Sequence, residues 1–176
     1  MHISFSPLAR ALLVVLLAGA ALPAAAQATA DIVITGRVNP GTCTITIAPT
    51  TLDEVDANDL IAEDNASKDL ALQFTGCVGV RRAMVSFTGT PETGDTNRWA
   101  NTAPGADAAT GVAISLREGA TGNQYLYQGL AARPVTIGGA AASYPMRAAY
   151  HRRTTTPPAL AAGLVSATIT VNVAYE

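Results

Sequence analysis

Along most of the chain, apolar side chains fall on every second residue, the period of a strand with one face buried. Leu70, Leu72 and Phe74 alternate with Ala71, Gln73 and Thr75, and Val85 and Phe87 alternate with Met84, Ser86 and Thr88. Val112, Ile114 and Leu116 repeat the pattern, as do Met146, Ala148 and Tyr150. The longest run is the last: Val165, Ala167, Ile169, Val171, Val173 and Tyr175. Near the amino end, Ile32, Ile34, Gly36 and Val38 share one face of residues 31–38. Turn-rich stretches at 89–94, 104–110, 119–124, 138–143 and 154–158 read as loops. Residues 52–67 are acidic without alternation and are expected to form a short helix or coil. Short alternating strands with frequent turns, no internal repeat and no shift in composition predict one all-β domain, an antiparallel sandwich.

Two features do not fit a closed sandwich. The final strand is long, regular and terminal, so nothing after it pairs with its far side. The first alternating segment is hinged from the rest by Asn39-Pro40-Gly41, which interrupts any continuous strand. A partnerless strand at each end predicts a strand exchanged between molecules.

The amino terminus explains part of the composition. Arg10 precedes an apolar run at 11–22, Pro23 breaks it, and small residues around Ala24–Ala28 offer two A-x-A cleavage patterns. That order is a secretory signal peptide, over residues 1–26 or 1–28, and the run is shorter than the roughly 20 residues a membrane span needs. No cysteine follows the cleavage site, which argues against a lipid anchor. Export places Cys43 and Cys77, 34 positions apart, in an oxidising compartment, where an isolated pair forms a structural disulfide.

Charged residues make up 14% of the chain, below the roughly 25% of ordinary soluble domains. The formal net charge of −2 argues against a nucleic-acid partner. Enzyme chemistry finds few candidates. Beyond the leader His151 is the only histidine, which excludes multi-histidine metal sites within one chain. Beside Arg152 and Arg153, it reads as a solvated loop residue. No G-x-S-x-G elbow is present, and Lys68, the only lysine, lacks a glycine-rich approach to phosphate. Asp53, Glu54, Asp56, Asp59, Glu63 and Asp64 lack the spacing of a calcium loop and read as a solvated acidic face. Asn65-Ala66-Ser67 fits a glycosylation sequon by composition alone. No cofactor and no metal is expected.

Several pieces then converge. Gly36 lies seven residues before Cys43, preceded in alternation by Ile32 and Ile34. Leu70-x-Leu72-x-Phe74-x-x-Cys77, Val85-x-Phe87-x-Gly89 and Gly111-Val112-x-Ile114-x-Leu116 follow. Met146-x-Ala148-x-Tyr150 stands where a Phe-x-Ala-x-Tyr motif is usual, Ala162-Gly163 opens the last strand with Gly163 fourteenth from the end, and Tyr175 is penultimate. In these features the chain resembles the type 1 fimbrial (chaperone–usher) pilin family.

The resemblance implies an incomplete immunoglobulin-like sandwich that lacks its last strand and is completed in trans by donor-strand exchange. It implies a donor-strand extension at 27–41, carrying Ile32, Ile34, Gly36 and Val38, and a pilin domain at 42–176. It places the acceptor groove and chaperone contact at Gly163, Ile169, Val171, Val173, Tyr175 and the carboxylate of Glu176. The implied partners are a periplasmic pilus chaperone, an outer-membrane usher, identical or related subunits and a host receptor for the assembled fimbria. The implied location is the fimbrium on the bacterial surface, reached through the periplasm. The expected function is structural and non-enzymatic: a subunit polymerised into a surface filament for cell adhesion. The alternative is a minor or tip-proximal subunit whose loops contact a host glycan or receptor. Against the outermost position stand the extension itself and the absence of room for a separate lectin domain.

Overall fold

Alternation becomes hydrogen-bonded structure in two antiparallel sheets, whose facing surfaces hold the apolar positions. The computed structural model describes residues 33–61, 64–119, 121, 122, 124–153 and 159–176. It divides into two units, residues 1–37 and 38–176. In the first, residues 33–37 carry no regular structure, Val33 and Ile34 are exposed, and Ile32 lies outside the described residues.

Among its described residues the second unit contains nine strands: β1 (Thr44–Ile47), β2 (Asp64–Thr75), β3 (Arg82–Gly89), β4 (Pro91–Glu92), β5 (Asp95–Ala100), β6 (Val112–Glu118), β7 (Arg133–Thr136), β8 (Ala141–Arg152) and β9 (Ile169–Tyr175). One sheet runs β1-β2-β8-β6-β5-β4 and the other β7-β3-β9. Between them Leu72, Phe74, Val85, Phe87, Trp99, Leu116 and Met146 are buried. Trp99, the single tryptophan, is 1% exposed, and its indole Nε1 donates to the Leu126 carbonyl at 2.9 Å. The Cys43–Cys77 disulfide joins the residue before β1 to the turn after β2, so β1 is held at the sheet edge covalently as well as by its ladder.

The alternating runs from Leu70 onward form strands, with corrections at their margins, whereas the described part of the 31–38 segment does not. Residues 52–61 are coil with one turn at 57–59, but β2 begins at Asp64, because its pairing with β8 continues past a bulge at Asn65/Lys68 to Asp64↔His151. The stretch 89–94 is a loop only in part, since Pro91–Glu92 pair with β5, and 138–143 yields to β8 from Ala141. β1, β5 and β7 fall outside the runs read as strands. The last run keeps its alternation from Val165, yet its ladder begins at Ile169, opposite Gly89 where β3 ends. Gly163 does not open that strand. It lies between isolated bridges at Ala161↔Thr110 and Leu164↔Ala108, where a Cβ would stand 2.3 Å from the Asp107 carbonyl oxygen.

His151 is not a solvated loop residue. It sits in β8, 8% exposed, on the sheet's outer face, which β2 and β6 flank with Asp64 and Ala113. Burial, reinforced by the Arg98 charge, pushes its imidazole below the ordinary histidine range. Over the same face Tyr125 lies between two guanidinium groups, Arg98 at 3.5 Å and Arg117 at 4.2 Å from the ring centroid. Asp64 also leaves the solvated acidic face, because it pairs with Arg117 in a largely buried contact.

Candidate functional site

β9 forms one edge of the three-stranded sheet, and among the described residues no strand pairs with its outer side. Ile169, Val171, Val173 and Tyr175 turn one half-buried face inward, while Thr170, Asn172 and Ala174 are exposed. Across from β9 stands the other sheet's edge, β1, followed by residues 48–61 without ladder pairing. Between these walls lies an open groove of about 720 Å³, floored by Phe87, Ile114, Leu116, Met146 and Tyr150. Ile45 and Ile47 stay 39% and 42% exposed, although they pair with buried Phe74 and Leu72. A core residue left that open marks a place where the sandwich lacks material rather than one where the chain faces water by design.

A second cleft of about 630 Å³ continues the first, with Leu60, Val112, Leu160 and Gly163 among its walls. Thr51, Leu52, Tyr150 and Val165 line both and form the neck between them. Burial, with the Asp53 and Glu54 carboxylates next, raises the Tyr150 phenol above its ordinary range, so the neck floor is uncharged at neutral pH.

Side chains tether the wall that lacks a ladder. Asn65 accepts from the Ile61 amide at 3.2 Å and donates to the Ile61 carbonyl at 2.9 Å. Arg152 donates to the Leu60 carbonyl at 3.2 Å, and Lys68 pairs with Asp53 at 2.6 Å. The sequon asparagine is therefore a structural clamp. At the groove's other end the Tyr175 hydroxyl donates to the Cys43 carbonyl at 3.1 Å, tying β9 to the disulfide. The backbone oxygen of Glu176 accepts from the Arg81 and Arg82 amides at 3.1 and 3.2 Å, and its side chain lies 3.5 Å from the Arg82 guanidinium.

The residues expected at the acceptor thus separate. Ile169 and Val171 line the main groove, Gly163 lines the second cleft, and Val173, Tyr175 and Glu176 continue β9 to its anchored end. Of the donor residues, Ile34 and Val38 are 90% and 95% exposed, and a Cβ on Gly36 would meet nothing within 4 Å. Leu52 and Asn101 were not singled out from sequence, because neither lies in an alternating run. Among the described residues no group of three His, Cys, Asp or Glu side chains is placed to hold a metal.

An antiparallel sandwich with an open groove beside its terminal strand is the architecture of pilus subunits. The family model for fimbrial proteins matches residues 32–176, and the chain belongs to that family. The P pilus rod subunit PapA is 18% identical with a TM-score of 0.57, over 77% of this chain and 100% of that one. A subunit of a chaperone–usher pilus, from a structure concerned with rod uncoiling, is 16% identical with a TM-score of 0.64, over 88% of this chain and 100% of that one. An antigen and type I fimbria protein of Burkholderia pseudomallei is 24% identical with a TM-score of 0.57, over 78% and 91% of the two chains. These likenesses establish the fold, an incomplete immunoglobulin-like sandwich. No curated protein sequence matches the chain. The protein is a fimbrial subunit of the bacterial surface.

Proposed function

We propose that this subunit polymerises by donor-strand exchange, with residues 27–41 as the donor and the groove beside β9 as the acceptor of the pilin domain at 42–176. The observation that carries the reading is the unpaired outer edge of β9 above an apolar groove. An added strand satisfies the edge amides and carbonyls, and its alternate side chains enter the groove, the physics of β-augmentation. Ile32, Ile34 and Val38 are the side chains to be buried, each contributing roughly 1.5–3 kcal/mol on full burial. Gly36 leaves room for close backbone approach.

Before assembly the same groove needs a temporary occupant, since an open apolar edge is a template for aggregation. A periplasmic chaperone supplies it, and an outer-membrane usher exchanges it for the next subunit's extension. The role is structural rather than catalytic, and adhesion belongs to the assembled filament through a host receptor.

The test is Gly36→Val. Because a Cβ at Gly36 would meet nothing within 4 Å, chaperone complexes and the disulfide should form normally while surface filaments fall sharply in electron micrographs. Wild-type filament numbers in this variant refute insertion at this register.

A further inference from the structure

The neck of the groove has one wall whose position is set from outside the groove. Val165 projects half-buried into it and packs against both buried clusters, the main core and the smaller group of Leu60, Ala109 and Val112. No regular ladder holds it, because β9 begins only at Ile169. The peptide groups on its two sides are gripped by one side chain, that of Asn101, just past β5. Asn101 Nδ2 donates to the Leu164 carbonyl at 2.9 Å, and Oδ1 accepts from the Ser166 amide at 2.9 Å.

The same carboxamide is anchored on its own side of the fold. Nδ2 also donates to the Ala109 carbonyl at 2.9 Å, and Oδ1 also accepts from the Ala103 amide at 3.0 Å. Two donors and two acceptors are all that an asparagine side chain offers, and all four are used. Neighbouring backbone bonds, from Thr102 to the Ser166 carbonyl at 2.7 Å and from Ala109 to the Leu164 carbonyl at 2.9 Å, align the two segments. Among the described residues, the Asn101 carboxamide is the side chain that reaches both peptides flanking Val165. An aspartate would put a second acceptor against the carbonyls of Ala109 and Leu164, and an alanine would leave four backbone groups without it.

We propose that Asn101 is a positioning residue for strand exchange. By fixing the peptides on either side of Val165 it holds that side chain in the neck and sets how fast a strand passes from one cleft to the other. This rests on the donor-strand reading above.

The experiment uses the chaperone-bound subunit and a synthetic peptide of its own residues 29–41, with chaperone release followed over time. Wild type, Asn101→Ala, Asn101→Asp, Val165→Ala and the Asn101→Ala/Val165→Ala double variant are compared. Asn101→Ala and Val165→Ala are each expected to change the exchange rate about tenfold, equivalent to about 1.4 kcal/mol in a barrier at 25 °C. In the Val165→Ala background, Asn101→Ala should add little, because it acts through the side chain already removed. A merely structural role predicts rate effects that multiply. Wild-type exchange in Asn101→Ala, or full multiplication with Val165→Ala, overturns the proposal. If neither Asn101 variant yields a chaperone complex, Val165→Ala alone decides, and an unchanged rate overturns it. A wild-type complex that takes up no peptide refutes the donor reading itself, and the positioning role falls with it.

Discussion

Gly89→Ala probes the junction where the core meets the groove wall. Gly89 ends β3 and pairs with Ile169, the first residue of β9. A Cβ there would stand 2.8 Å from the Thr168 carbonyl oxygen, 2.9 Å from Trp99 Cζ3 and 3.1 Å from Trp99 Cε3. Neither neighbour yields easily. Trp99 is 1% exposed and fixed by its bond to Leu126, and Thr168 is backbone leading directly into the acceptor strand. Overpacking of this kind costs about 1–3 kcal/mol. Replacing glycine also restricts the unfolded chain, which returns about 0.4–1 kcal/mol, so the net loss lies between about 0 and 2.6 kcal/mol. Gly138→Ala supplies the control, since its Cβ would meet nothing within 4 Å and only the unfolded-state gain remains. A gap of about 2 kcal/mol between the two corresponds to about 4–8 °C in Tm for a domain of this size. The measurement is thermal unfolding followed by the fluorescence of Trp99, in mature subunit whose groove is filled by its own residues 29–41 fused after Glu176. Equal midpoints for the two variants would show that the Gly89 contacts do not constrain the fold. A lowered midpoint in Gly89→Ala should be accompanied by faster loss of a bound donor strand, because relief of the clash displaces Thr168 and Ile169.

Other consequences follow from the buried imidazole and the disulfide. His151 has a folded-state pKa lowered from 6.5 by burial and by Arg98, so the unfolded chain binds its proton more tightly. Stability is therefore complete above about pH 6.5 and declines as pH falls toward the folded value, by at most about 1.4 kcal/mol per pH unit for one proton. His151→Gln should flatten that decline in urea midpoints taken between pH 7.5 and 5.5, and parallel profiles for variant and wild type would count against it. Replacing both Cys43 and Cys77 by serine removes a crosslink across 34 positions and should cost about 3.5–4 kcal/mol in the chain-entropy treatment. Chaperone-bound yield should collapse in that double variant, while unreduced wild-type protein should weigh two protons less than its reduced form, and an unchanged yield would contradict the expectation.

Much of this fold was legible because a strand's period writes its buried face into the local sequence. The alternation of Val165, Ala167, Ile169, Val171, Val173 and Tyr175 appears residue for residue as half-buried positions beside exposed ones. The same logic gave the β2, β3, β6 and β8 faces and the paired cysteines, since each is a matter of neighbouring residues or of composition. It failed where neighbours in space decide. His151, followed by two arginines, resembles a loop residue until a twelve-residue β8, paired on both sides, carries it into a buried position near Asp95. Asp64 belongs to an acidic cluster in sequence and to an Arg117 ion pair in the fold.

What the sequence determined by itself is which face of each strand is apolar. Tertiary structure alone decided where the gap opens, how wide its neck is and what holds that neck. Those depend on Asn101 reaching across 63 and 65 positions to Leu164 and Ser166, and on β1 and β9 standing at the edges of different sheets. Hydrogen bonds across such separations are chosen by the packed arrangement of strands, so no local pattern encodes them.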